Sequence, residues 1–183
     1  MAIEQELVTA EDMLAMPDDG MRWELIDGEI QRMPPPGAEH EETAGEVLAR
    51  FREHVKARTL GRVYGAPGVI VRRNPDRVRA PDFAFVSGGR LPEGKSPTGY
   101  LQEAPDLVVE VVSPTETATD LQAKIQEWLD AGVRLAIALY PKTRTAAVYR
   151  SASDIRLLSV DDMLDCGDVV DGFTCRVGDL FPR

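Results

Sequence analysis

At 183 residues, with 43% hydrophobic and 28% charged positions, the chain can bury one substantial core and reads as a single soluble globular domain. Its formal net charge of −10 excludes a broad basic surface, so any contact with a polyanion must come from a local cluster of cations.

The first residues, MAIEQELVTAEDM, carry acids where a secretory signal needs a basic and then an apolar region. No apolar stretch is long enough to span a membrane, so no membrane partner is expected and the cytoplasm is the default location. Thr9 with Asp12 three residues on forms a capping box and predicts a short helix to Ala15, closed by Pro17 and Gly20, as a small lid over the core. Arg22 to Ile26 and Glu29 to Met33 flank Asp27-Gly28, a dipeptide that accepts positive φ in a tight turn, and so predict a β-hairpin. Glu24 then faces away from Trp23 and Leu25, either as an ordinary solvated strand residue or as an acid directed toward a site. Pro34-Pro35-Pro36-Gly37 breaks the chain before a long helix from about Glu39 to Arg58, ended by Gly61. Ala44, Val47, Leu48, Phe51 and Val55 form its apolar stripe. Early Glu39, Glu41 and Glu42 and late Arg52, Lys56 and Arg58 suit its macrodipole. His40 lies one turn before Ala44, and either bonds local backbone or looks into a cavity at the helix start.

Strands follow at Arg62 to Ala66 and Gly68 to Arg73, then a turn at Asn74-Pro75-Asp76 and a run from Arg77 into Ala80-Pro81-Asp82-Phe83-Ala84-Phe85-Val86. Arg58, Arg62, Arg72, Arg73, Arg77 and Arg79 are the one basic concentration, read either as the wet face of a hairpin or as a phosphate-holding group beside a site. Ser87 to Pro105 has no period of either kind, and a loop of that length suggests a flap over a site. The apolar run Asp106 to Val112 predicts a buried strand, stopped by Ser113-Pro114. A helix from Thr119 to Ala131 is expected next, with a capping box of Thr119 and Gln122 and with Gly132 past its end. Leu121, Ile125, Trp128 and Leu129 make its core stripe, and Lys124 falls at the edge, where a lysine ordinarily extends its stem to water. Arg134 to Tyr140 should pair parallel with the preceding strand in a right-handed βαβ unit. Thr145 to Arg150 and Ile155 to Val160 continue as a meander, and Gly167 to Phe181 closes in short alternating runs. Cys166 and Cys175 suggest neither a zinc site nor a disulfide framework, and read as free thiols in a reducing compartment.

Chemistry concentrates at Glu110, because an unpaired carboxylate inside an apolar strand costs on the order of several kcal/mol or changes its protonation. Asp82 starts a strand after Pro81 and reaches the same point if the two strands are neighbours. Two carboxylates with backbone carbonyls at Val111 or Val112 and water make the oxygen-rich set that Mg²⁺ or Mn²⁺ prefers. Such an ion would polarise a phosphodiester and activate water, with Lys124 orienting the water or neutralising developing charge. The chain contains no GxxxxGK[ST] phosphate loop, no GxGxxG after a strand, no GxSxG elbow and no HExxH.

Together, RWELIDGEI, the proline loop with its His-led helix, APDFAFV, PDLVVEVVSP with DLQAKIQEWLDAGV, and GFTCRVGDLF resemble the restriction-endonuclease-like PD-(D/E)XK superfamily, most closely its Uma-two family. The resemblance covers nearly the whole chain. It implies an α/β (α+β) fold: a central mixed β-sheet flanked by helices, with an N-terminal β-hairpin and a C-terminal β meander, as one nuclease-like domain over residues 1–183. Asp82 matches the PD aspartate and Glu110 the (D/E) position. Val112 stands where the motif's lysine is expected, and the lysine that has moved to the following helix matches Lys124. Glu24 and His40 match the acid of the first hairpin and the histidine opening the long helix, both as residues of the site wall. Trp128 replaces a usual tyrosine, and Leu135 to Tyr140 replaces an acidic-aromatic segment. The implied activity is endonucleolytic cleavage of DNA with Mg²⁺ or Mn²⁺, by a homodimer, since two sites cut two strands. The alternatives are a nuclease fold that no longer cuts and serves as an interaction or assembly module, and hydrolysis of a small phosphoester.

Overall fold

The structure is a computed structural model that describes residues 7–17, 19–91 and 94–182. The first six residues of the N-terminal reading, and Pro92 and Glu93 of the expected flap, lie outside the described residues.

Its centre is a six-stranded mixed sheet. The strands are β3 (Gly61–Gly65), β6 (Phe83–Ser87), β7 (Leu107–Val111), β8 (Leu135–Tyr140), β9 (Thr145–Tyr149) and β10 (Ile155–Leu158), in the spatial order β10-β9-β8-β7-β6-β3. Only β7 and β8 are parallel, joined through α3 (Ala118–Asp130) as the strand-helix-strand pattern requires. A second, four-stranded sheet of β1 (Arg22–Ile26), β2 (Glu29–Met33), β4 (Val69–Arg72) and β5 (Arg77–Arg79) has the order β2-β1-β5-β4. The β1-β2 turn is the one anticipated, with Asp27 at φ 55° and Gly28 at φ 81°, the left-handed pair that matches strand twist. A two-stranded ribbon of β11 (Met163–Asp165) and β12 (Thr174–Arg176) closes the chain before a 3₁₀ turn at Val177–Leu180.

Alternation along β7 assigns the two faces of the central sheet. Leu107, Val109 and Val111 join Phe83, Phe85, Ile137 and Leu139 beneath Val47, Phe51 and Val55 of α2 (Ala38–Arg58). Phe51 stacks on Phe173 of the C-terminal segment at 3.8 Å between ring centroids. On the other face, Val108, Ala136, Ala138 and Ala147 receive Leu121, Ile125 and Trp128 of α3. The alanines there let α3 approach the sheet closely. Glu110 shares the α3 face with Val108, which leads its carboxylate toward the helix that carries Lys124.

Several expectations are corrected. The first helix, α1 (Ala10–Ala15), has the expected Thr9–Asp12 capping box, but its buried Ala10 and Met13 pack with Leu25, Ile70 and Val78 of the small sheet, so it is no lid over the central core. The run from Arg77 to Val86 is two strands in different sheets, divided at Ala80-Pro81-Asp82. Proline has no N–H to continue a ladder, and the chain changes sheets there. Helix α2 ends at Thr59, which adopts left-handed φ of 55°, two residues before Gly61. Helix α3 begins two residues early: Thr117 is its cap, accepting from the Asp120 N–H at 3.1 Å, in place of Thr119 and Gln122. Its end matches the reading, with Gly132 and Val133 donating back to Leu129 and Trp128. The expected flap is fastened down. Leu91, Leu101 and Ala104 are buried in the α3-side core, Leu101 bridges β4 at Val69, and Tyr64 and Arg62 of β3 hold Ser96 and Gly94.

Candidate active site

Antiparallel pairing of Phe83 with Val109 sets the site, because one further step along that register brings Asp82 opposite Glu110. Glu110 is buried, with its two oxygens divided between partners on α3. Trp128 Nε1 donates to Oε1 at 2.7 Å, and Lys124 Nζ approaches Oε2 at 3.5 Å. Lys124 is held more tightly by Glu116 Oε1, at 2.8 Å. It therefore does not extend to water as an edge lysine ordinarily does.

Asp82 is also buried and collects three donors. The Val111 N–H reaches Oδ2 at 2.8 Å, His40 Nε2 lies 3.2 Å from the same oxygen, and Arg22 Nη1 donates to Oδ1 at 3.2 Å. His40 thus takes the cavity-facing of its two readings: the start of α2 points it at the sheet-switch aspartate. Its Nδ1 is buried, has no hydrogen-bond partner among the described residues, and lies 3.8 Å from Glu41 Oε1. Glu24 is not a solvated strand residue, since it is buried, takes Arg79 Nη1 at 2.6 Å and accepts the Ala80 N–H at 3.2 Å. It fastens the backbone just before Asp82.

These environments drive the protonation states apart. Burial pushes Glu110 up to about 7, with help from the neighbouring Asp82 charge and against the pull of Lys124. Burial alone would raise Asp82 too, but His40, the Val111 N–H and Arg22 outweigh it and hold its carboxyl below the usual range. The hydrogen bond to Asp82 raises His40 in turn. For Lys124, burial pulls downward and is overcome by Glu110 and Glu116, so the ammonium stays charged. Two neighbouring carboxylates with opposite shifts are the pattern from which one fold obtains an acid and a permanent anion at neutral pH.

Four of the clustered arginines, Arg72, Arg73, Arg77 and Arg79, are paired with acids of the fold and are not a free phosphate-binding group, whereas Arg62 is exposed and donates to the Gly94 carbonyl. Arg79 bridges Glu24 and Glu127 of α3, Arg77 bridges Asp27 and Glu127, Arg72 pairs with Asp27, and Arg73 is held by Glu11 and Asp76. This network clamps the small sheet onto α3 and fixes the wall carrying Glu24 and Arg22.

Arg22, Arg79, Glu116 and the Trp128 indole escaped sequence reasoning as members of the site. Trp128 gave one usable signal: a buried indole N–H needs an acceptor, and Glu110 is the acceptor within the same core. The tryptophan keeps a donor where the resemblance leads one to expect tyrosine. Arg22 and Glu116 gave no local signal, because their partners are set by tertiary contacts.

The donor set suits a hard divalent cation. Asp82 and Glu110 offer carboxylate oxygens from adjacent strands, and a Glu110 destabilised as an anion by burial and by Asp82 is the group a dication would relieve. Among the described residues no group of three or more His, Cys, Asp or Glu side chains is arranged to hold a metal, so carbonyl oxygens and water would have to complete a coordination sphere. Also among the described residues, no helix is long and apolar enough to cross a membrane.

No curated protein matches the chain. A crystal structure from Anabaena variabilis ATCC 29413, described as a "putative nuclease", superposes with a TM-score of 0.81 at 22% identity, over 95% of this chain and 97% of the other. At that identity the likeness shows the fold, which is a nuclease-like α+β fold with a central mixed sheet. The family model described as "Putative restriction endonuclease" matches residues 10–178, and the chain belongs to that Uma2 family.

Proposed function

We propose that the protein is a divalent-metal-dependent endonuclease that hydrolyses phosphodiester bonds in DNA, with Asp82, Glu110 and Lys124 at its centre and His40 and Glu24 in the site wall. The observation that carries this reading is the register step that brings Asp82 opposite Glu110 while Lys124, from the following helix, reaches the Glu110 carboxylate.

Asp82 and Glu110, with a carbonyl at Val111 or Val112, would hold Mg²⁺ or Mn²⁺, which when bound polarises the phosphodiester and lowers the pKa of water. The protein's own groups supply the rest. Lys124, kept cationic by Glu110 and Glu116, would offset the negative charge that grows on the phosphoryl oxygens. His40, protonated more readily than a free histidine because of its hydrogen bond to Asp82, stands at the same wall. Trp128 fixes the Glu110 rotamer, so that its second oxygen is presented on the Lys124 side. Glu24 and Arg79 hold the Ala80-Pro81-Asp82 corner. Cleavage of plasmid and oligonucleotide DNA with Mg²⁺ and Mn²⁺ tests the proposal: the wild type cuts and Glu110→Ala does not. Equal activity in both would sink it.

One observation favours a second reading, an interaction or assembly module that no longer cuts. Asp82 is already satisfied by Arg22, His40 and Val111, and Lys124 by Glu116, so the groups are internally compensated without an ion. Tight Mn²⁺ binding abolished by Asp82→Ala would count against that reading.

A further inference from the structure

A second concavity lies away from the Asp82–Glu110 site. It is a cleft of about 680 Å³ between the last turns of α2, the edge strand β3 and the segment after β6, and Arg52, Lys56 and Arg62 stand around it. We infer that this cleft is a phosphate-backbone anchor for the nucleic acid, separate from the scissile site. The inference rests on the nuclease reading for the identity of the polyanion and extends it to a second surface.

Charge distribution is the first argument. In a chain of net charge −10, Arg22, Arg72, Arg73, Arg77 and Arg79 are all spent on acids of the fold. Arg52 and Lys56 are exposed, lie one turn apart on α2 and have no acidic partner among the described residues. Among the described residues Arg62 donates to the Gly94 carbonyl and pairs with no acid. Three such cations around one concavity supply the local cluster that the composition demands of any polyanion contact.

Placement is the second argument. The edge strand β3 joins the cleft to the site: Arg62 pairs with Val86 at one end, and beyond Gly65 the Ala66 N–H donates to the Asp82 carbonyl at the other. From Arg62 to Ala66 is four strand residues, about 13 Å, and from Lys56 back to His40 is sixteen helical residues, about 24 Å. At about 3.4 Å per base pair these spans correspond to roughly four to seven base pairs. The acids Glu39, Glu41, Glu42 and Glu46 crowd the first half of α2, so a polyanion tracking the molecule is attracted at the far half. The contact is to charge and carries no base readout, since cations that meet phosphates position the duplex without reading its bases.

The test is fluorescence-anisotropy titration of a duplex oligonucleotide against salt, in EDTA to prevent cutting, with plasmid cleavage measured in parallel. The double variant Arg52→Ala/Lys56→Ala should bind more weakly whatever the sequence and lower the slope of log K against log salt by about 2. Arg156→Ala, on β10 at the opposite edge of the central sheet, controls for net charge and should leave binding unchanged. An unchanged slope in the double variant while the wild type cuts DNA overturns the anchor and leaves the nuclease reading standing. A wild type that binds with the reduced slope on mutation yet never cuts supports the anchor and overturns the nuclease reading. A wild type that neither binds nor cuts overturns both.

Discussion

Replacing Glu110 with glutamine keeps the shape of the side chain and removes the charge that burial penalises. Its carboxyl is pushed from 4.5 to about 7, and since the folded value lies above the unfolded one, the stabilisation from protonated Glu110 is complete below about pH 4.5 and lost as pH rises through about 7. A shift of this size is worth about 3 kcal/mol at pH 8 and less than about 1 kcal/mol at pH 5. Glutamine still accepts from Trp128 Nε1, but its amide faces Lys124 and forfeits the 3.5 Å contact, which returns part of the gain. The net expectation is about 2 kcal/mol of added stability at pH 8, or roughly 4–8 °C in melting temperature for a chain of this size. The assay is calorimetric unfolding of both proteins in EDTA at pH 5 and pH 8. A variant that melts lower at pH 8, or gains equally at both pH values, would refute the claim that burial of the Glu110 carboxylate outweighs its Trp128 and Lys124 contacts.

Other outcomes follow from the same geometry. Asp82→Asn removes the anion that raises His40, so the His40 imidazole should titrate at lower pH by NMR; an unchanged titration contradicts the His40–Asp82 contact. Arg79→Ala leaves Glu24 buried without its guanidinium partner and should cost about 3 kcal/mol in chemical denaturation, with a cost below about 1 kcal/mol arguing that the clamp on α3 is dispensable. Thr117→Ala should cost about 1 kcal/mol and Thr119→Ala little; the reverse order would return the cap of α3 to Thr119.

Much of the fold was legible because its signals are local. The Asp27-Gly28 turn, the apolar stripe of α2 and the unbroken hydrophobic run of β7 each follow from residues within a few positions. The sheet change at Ala80-Pro81-Asp82 was not, since Arg77–Arg79 and Phe83–Ser87 both read as strand and only tertiary pairing assigns them to different sheets. The cap of α3 was misplaced because Thr117 and Thr119 carry the same capping chemistry two residues apart. For the site, a glutamate among valines marked its own position, the strand after Pro81 and the helix edge offered Asp82 and Lys124, and the family resemblance joined them with His40 and Glu24. Periodicity alone suggested the wrong default for Lys124 and Glu24, because an edge lysine or a strand glutamate turns inward only when a distant partner, here Glu116 or Arg79, compensates it. Arg73, Arg77 and Arg79 show the same dependence: their clustering was visible, but their acids lie on α1, the β1-β2 turn and α3.

The central claim is that Asp82 and Glu110 take a divalent ion together beside Lys124. Calorimetric titration of the wild type with Mn²⁺ at pH 6 and pH 8, alongside Asp82→Asn and Glu110→Gln, tests it most directly. The expected result is binding by the wild type that strengthens with pH, as an ion displaces the proton from a Glu110 that titrates near 7, and loss of binding in both variants. Wild-type protein that binds no Mn²⁺, or binds it equally with either carboxylate removed, would contradict the claim.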